Sequence, residues 1–255
     1  MFFNNKSILR QPQRMVCLVP SLTELLVDLG KSKELVGITK FCVHPKSIRK
    51  EKVIIGGTKT PNIEKIKALQ PDFILANAEE NNLQDVELLA EFCPVYVTSI
   101  KNISDNNETI LALGKLLNAD KQAKLIVEKI ENERLNFQKK FHNRPFRKGL
   151  YLIWKKPFMS VGRDTFIHAM LEEMKIENIF GNQSRYPIFE LEAITTTPDF
   201  ILLSSEPYPF KASDVDYFQK IWPHTKVLLV DGEYFSWYGS RVVGAFKYFE
   251  SVFDQ

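Results

Sequence analysis

Apolar and polar residues follow a helical period over one long stretch, Asp120 to His142 (DKQAKLIVEKIENERLNFQKKFH). Ala123, Ile126, Val127, Ile130, Phe137 and Phe141 recur at three-, four- and seven-residue steps, which puts them on one face of an α-helix. Lysines and glutamates fill the opposite face. No Pro or Gly interrupts the stretch, and Asn143 and Pro145 close it. At 1.5 Å per residue such a helix is roughly 35 Å long, enough to cross a small domain.

What flanks this helix is one pattern written twice. Ile63-Glu64-Lys65-Ile66 precedes Pro71-Asp72-Phe73-Ile74-Leu75, and Leu191-Glu192-Ala193-Ile194 precedes Pro198-Asp199-Phe200-Ile201-Leu202. The PDFIL segments are identical and lie 127 residues apart. Each copy reads as a short amphipathic helix, a Pro-Asp turn and an apolar strand. A period this long does not describe a solenoid; it describes two similar α/β lobes joined by one helix.

The remaining pattern fills in both lobes. Met15–Pro20 is an apolar run of strand length, and Ser21-Leu22-Thr23-Glu24 reads as a capping box opening a helix that ends at Gly30. Strands are expected at Leu35–Thr39, Val53–Ile55, Phe73–Ala76 and Val95–Thr98, with helices near Leu83–Phe92 and Ser104–Leu117. The second lobe opens with a strand at Gly149–Trp154 and a helix at Asp164–Met174. After the second repeat unit come a helix ending at Trp222, a strand at Val227–Val230, the aromatic loop Tyr234–Gly239 and a last helix from Ser240 to Phe253. Strands alternating with helices imply parallel sheets covered on both faces. The expected organisation is an N-terminal extension (1–13), an N-terminal α/β lobe (14–103), linking helices (104–142) and a C-terminal α/β lobe (143–255). The fold class is α/β, two Rossmann-like lobes joined by a long backbone helix.

Composition narrows the partners. The 34 basic and 31 acidic residues nearly balance and form no basic stripe, which argues against nucleic acid. Cys17, Cys42 and Cys93 are far apart and lack any CxxC spacing, which argues against a disulfide framework or a structural zinc site. No apolar run reaches the roughly 20 residues needed to span a bilayer. The opening MFFNNKSILRQPQR carries no apolar stretch of signal-peptide length, so the sequence as given reads as cytoplasmic. A chain whose leader had been removed would read the same, and would be periplasmic or membrane-associated.

Parallel α/β sheets bind ligands beyond the carboxyl ends of their strands. Those loops hold Phe41, Cys42 and His44; Asn77, Ala78 and Glu79; Trp154, Lys155 and Lys156; Ser205 and Glu206; and Tyr234, Phe235, Trp237 and Tyr238. Four aromatics within five residues form either a ligand wall or a loop folded over its own core. Cys42 and His44 alone do not make a metal site and read as a buried thiol beside a hydrogen-bonded imidazole. No GxSxG, HExxH or GxGxxG motif occurs, and Gly56–Thr60 has the wrong order for a phosphate loop. No catalytic or metal-ligating set is therefore expected. Glu79, Glu206 and His44 are the cleft groups that an enzyme on this fold would have to use.

The opening MVCLVPSLTELL, the LExI…PDFIL units, the single linking helix and PFMSVGRDTF…ENIF together resemble the class III substrate-binding proteins of ABC importers, the helical-backbone metal-receptor family. The resemblance covers Arg14 to Phe253 and is nearest to the cobalamin-binding members. It implies a cleft between lobes, lined by the aromatics that fall on Phe41 and Tyr234, for a corrinoid or an iron–siderophore. It also implies permease-docking acids at Glu64 and at Glu190 or Glu192. The ligand-binding expectation comprises Phe41, Cys42, His44, Lys59, Asn77, Trp154, Ser205, Glu206, Tyr234, Phe235, Trp237 and Tyr238. No intrinsic cofactor is expected, and the protein is expected to be a monomer. A chelate-sequestering protein without a permease is the alternative, and an enzyme on the same fold the second.

Overall fold

The computed structural model describes residues 1, 3 and 10–254. Residues 2 and 4–9 of the expected N-terminal extension lie outside the described residues. The chain divides into two compact units. The first is Met1–Ile100, Ser104–Ile130 and Tyr238–Arg241; the second is Lys101–Ile103, Glu131–Trp237 and Val242–Gln255.

The first unit runs β1 (Met15–Cys17), α1 (Pro20–Asp28), β2 (Leu35–Ile38), α2 (Ile48–Glu51), β3 (Val53–Ile54), α3 (Ile63–Ala68), β4 (Phe73–Asn77), α4 (Leu83–Phe92), β5 (Val95–Thr98) and α5 (Ile103–Leu116). Its sheet is parallel throughout, in the order β3-β2-β1-β4-β5. Strands β1 and β4 are buried along their whole length, because a parallel sheet covered on both faces leaves no polar side. The strand order turns between β1 and β4, which marks the switch point where ligands bind in such sheets.

The long helix α6 (Asp120–Lys140) follows, with Ala123, Ile130 and Phe137 buried as its period predicts. The boundary between units falls within it, after Ile130. The second unit continues with β6 (Arg147–Leu152), β7 (Phe158–Met159), α7 (Phe166–Glu173), β8 (Ile176–Asn178), β9 (Ile188–Phe189), β10 (Phe200–Ser204), α8 (Ala212–Ile221), β11 (Lys226–Val230), α9 (Glu233–Ser236) and α10 (Val242–Asp254). A parallel sheet β11-β10-β6-β8 turns its strand order between β6 and β10, and β7 pairs with β9 as an antiparallel ribbon. The ribbon and β8 are absent from the periodic pattern, being only two or three residues long.

The repeat has a physical meaning. In both copies the PDFIL strand (β4, β10) lies beside the first strand of its unit, at the switch point. Its Asp does the same work twice. Asp72 accepts from the amides of Gln13 and Arg14 at 2.8–3.1 Å, and Asp199 accepts from the amide of Lys148 at 2.8 Å. Each carboxylate thus ties the entry of β1 or β6 to its neighbour.

Two local expectations are corrected. Ser21 and Glu24 make no capping box: the N-cap falls two residues earlier, at Val19, with Pro20 as the first helical residue and no side-chain cap. Pro is preorganised for that position and has no amide to satisfy. The helix does end as expected, with Gly30 at φ +77° and a Lys31 amide to Leu26 carbonyl bond of 2.9 Å. The second repeat helix is a single 3-10 turn, Leu191–Ala193, whereas the first is the α-helix α3. Asn62 caps α3 by accepting from the Lys65 amide at 2.8 Å, and Glu190 provides no such side-chain cap.

Candidate functional site

At the carboxyl end of the first sheet, the loop after β2 presents Phe41, which is 50% exposed with the Lys40 ammonium 5.1 Å from its ring centre. His44 is half-buried in the same loop. Cys42 points the other way. Its thiol donates to Thr23 Oγ1 at 3.3 Å and lies 3.4 Å from Thr39 Oγ1, and burial pushes its pKa up. A thiol held protonated is a poor metal ligand and a poor nucleophile. Cys17 nearby is likewise buried, its pKa pushed up to about 12 by desolvation.

The loops after β3 and β4 are sewn together. Lys59 donates its ammonium to the Glu79 carbonyl at 2.7 Å. Asn81 donates to the carbonyls of Leu18 (3.3 Å) and Thr58 (2.9 Å) and accepts from the Asn77 amide (2.9 Å). Asn77 is itself buried, donating to Thr98 Oγ1 at 3.0 Å while accepting from the amides of Glu79 and Glu80. It builds the rim rather than lining it. Asn81, the residue that joins three of these loops, carried no signal beyond its place in a polar run after a strand.

At the carboxyl end of the second sheet, Trp154 follows β6 and is 39% exposed, with the Tyr208 ring edge-on at 5.7 Å. Lys155 pairs with Asp214 and stands over the Tyr217 ring, so its charge is already spent. Lys156 is exposed. Ser205 follows β10 and accepts from the Gly232 amide at 2.9 Å. Glu206 accepts from Ser236 Oγ (2.7 Å) and Trp237 Nε1 (3.0 Å), and burial raises its pKa against those bonds, with Glu233 adding repulsion.

The expected aromatic loop is a turn of helix, α9, followed by a 3-10 turn at Gly239–Arg241. Its rings divide. Tyr234 is half-buried and stacks on Tyr248 at 4.6 Å. Phe235 is fully buried against Tyr151 and Phe249, and Trp237 and Tyr238 are buried as well. Of the residues expected to bind ligand, Cys42, Asn77, Phe235, Trp237 and Tyr238 are thus buried in the structure. A helical turn carries adjacent side chains to different faces, so four aromatics in five residues cannot all meet one surface.

The rim of the first unit holds the exposed Phe41 ring, and the rim of the second holds the exposed Trp154 and the partly exposed Tyr208 and Tyr234, each beside polar groups largely committed to neighbouring loops. Each rim, taken by itself, offers an apolar ring face on which a flat ligand can stack. One cavity adjoins the end of β4 and β5, where Ala78 and Thr98 help to line it, and another lies in the second unit. The first, of about 610 Å³, is lined by Tyr96, Thr98, Asp105 and Glu108 among others, and the second, of about 270 Å³, by Phe146, His168, Glu172 and Asn178 among others. Glu64, Glu190 and Glu192 are all exposed.

Residues 15–220 match the family model described as periplasmic binding protein. Among curated proteins, an ABC transporter substrate-binding lipoprotein of Bacillus subtilis is 27% identical over 207 residues, 77% of this chain. That alignment spans 65% of the lipoprotein, just under two thirds of its length. A vitamin B12-binding protein of Vibrio parahaemolyticus is 23% identical over 209 residues, 80% of this chain and 75% of the relative. Among solved structures, the periplasmic vitamin B12 binding protein of Vibrio cholerae superposes with a TM-score of 0.82. The superposition covers 96% of this chain and 99% of that one at 18% identity, a likeness of fold.

Proposed function

We propose, from the premise that this chain belongs to the periplasmic binding protein family, that it is the substrate-binding component of an ABC-type importer for a metal chelate. The chelate is a corrinoid such as cobalamin, or an iron–siderophore complex. The observation that carries this reading is the similarity, over four fifths of the chain, to a protein named for vitamin B12 binding. In this role the protein binds its ligand without turning it over and works on the outer side of the cytoplasmic membrane. No helix among the described residues is long and apolar enough to cross that membrane itself.

The contacts proposed are the rings that remain accessible, Phe41, Trp154 and Tyr234, with His44, Lys59, Ser205 and Lys156 as polar neighbours. Aromatic rings offer large flat apolar area at low entropic cost, which suits a macrocycle or a catecholate. The partner proposed is a permease, docked through Glu64 and through Glu190 or Glu192.

Cyanocobalamin, haem and a ferric siderophore, titrated separately, test the reading. At least one should quench the intrinsic tryptophan fluorescence and saturate at one per chain. Trp154→Ala should weaken that binding by about 1–3 kcal/mol if the ring is a central contact. Absence of binding by all three, by fluorescence and calorimetry alike, would overturn the chelate reading.

A further inference from the structure

Glu206 stands beside the switch point of the second sheet, two residues after β10, and is half-buried there. Ser204 Oγ donates to its carbonyl at 2.6 Å. Gly232 approaches so closely that a Cβ there would lie 2.8 Å from Glu206 Cγ. One oxygen, Oε1, then receives both the Ser236 hydroxyl and the Trp237 indole N–H. The charged groups Glu233 and Asp231 both repel it. Repulsion and desolvation both favour swinging the carboxylate out into water. It stays because its two donors belong to one structure: Ser236 closes α9 and Trp237 caps it.

We propose that Glu206 is a positioning residue: by accepting from Ser236 and Trp237 it holds α9 and the indole in place, and so presents the Tyr234 ring of the same turn. It does not touch ligand. The part of this inference that concerns ligand rests on the chelate-binding reading above. Acceptance needs an oxygen lone pair at the position of Oε1 and not a charge, so Glu206→Gln, whose amide oxygen can occupy that position, retains the function and Glu206→Ala abolishes it.

Two measurements decide the matter. The first uses a background in which Trp154 and Trp222 are replaced by Phe, leaving Trp237 as the sole tryptophan, with no ligand present. There Glu206→Ala should move the emission to longer wavelength and expose the indole to iodide quenching, while Glu206→Gln should match its parent. The second is calorimetric titration of cyanocobalamin into the otherwise unaltered protein. Glu206→Ala should raise Kd about tenfold and Glu206→Gln should stay near wild type. The proposal is overturned if Glu206→Ala leaves the Trp237 signal unchanged, or if Glu206→Gln loses as much affinity as Glu206→Ala, which would put the charge on the ligand. Failure of the wild type to bind cyanocobalamin counts against the corrinoid reading, and the fluorescence measurement then decides the positioning role by itself.

Discussion

Glu24 is gripped by Arg241, with Nε 2.9 Å from one carboxylate oxygen and Nη2 2.7 Å from the other. Both side chains are largely buried. Burial pushes the Glu24 pKa up and Arg241 pulls it back, burial being the larger influence. A carboxyl whose native pKa is raised holds its proton more tightly folded than unfolded, so acidification relieves its burial cost. Arg241→Ala should cost about 3 kcal/mol at neutral pH, because it strands a buried carboxylate. The variant lacks the downward pull, so Glu24 should take up a proton in mild acid. The gap to wild type should therefore narrow as pH falls from 7 towards 5, measured by urea unfolding. A gap that stays constant or widens would mean that Glu24 is not the source of the loss. Sequence spacing assigns Glu24 to a helix cap, since its partner 217 positions away cannot be read from neighbours.

At the scale of elements, α5 and α6 meet at Gly114. A Cβ there would sit 2.3 Å from the Ala123 Cβ and 3.4 Å from the Ala119 carbonyl oxygen. Gly→Ala in an open helix stabilises by up to about 1 kcal/mol. Here the added methyl has no room, and overpacking of this kind costs about 1–3 kcal/mol. Gly114→Ala should therefore lower the melting temperature, against the helix-propensity trend, and a rise would show that the two helices separate freely. Further along, α6 is pinned in the second unit by ring packing of Phe137 against Phe141, Phe246, Phe249 and Phe253 and by ion pairs of Glu133 with Lys247 and Lys140 with Glu250. The apolar stripe of α6 was legible because the 3.6-residue period is a property of the helix itself. Which helices cover that stripe was not.

At the scale of the molecule, two parallel sheets each turn their strand order beside a PDFIL strand. Each unit also exposes acids on or beside its repeat segment: Glu64 on α3 in the first, Glu190 and Glu192 at the 3-10 turn in the second. If these acids dock a permease, wild-type association with the purified transporter should weaken as salt rises. Replacing Glu64 and Glu192 together by Lys should weaken it further and flatten that salt dependence. Unchanged affinity for the double variant, measured by biolayer interferometry at low and high NaCl, would remove the docking role.

The α/β class, the doubled unit and the long helix were determined by the sequence alone, because strand and helix periods and the Pro-Asp turn act over a few residues. The loops after β2, β3, β6 and β10 were also placed correctly after their strands, whereas Asn77 ends β4 itself and the aromatic stretch opens as a helical turn. Which side chains of these segments face outward was decided only by tertiary structure. Cys42 turns to Thr23, Asn77 to Thr98, and Glu206 to Trp237. Each of these polar groups is buried or partly so, and a buried polar group takes whatever partner the fold brings within reach, from 19 to 31 positions away in the chain. Local pattern carries no record of those meetings.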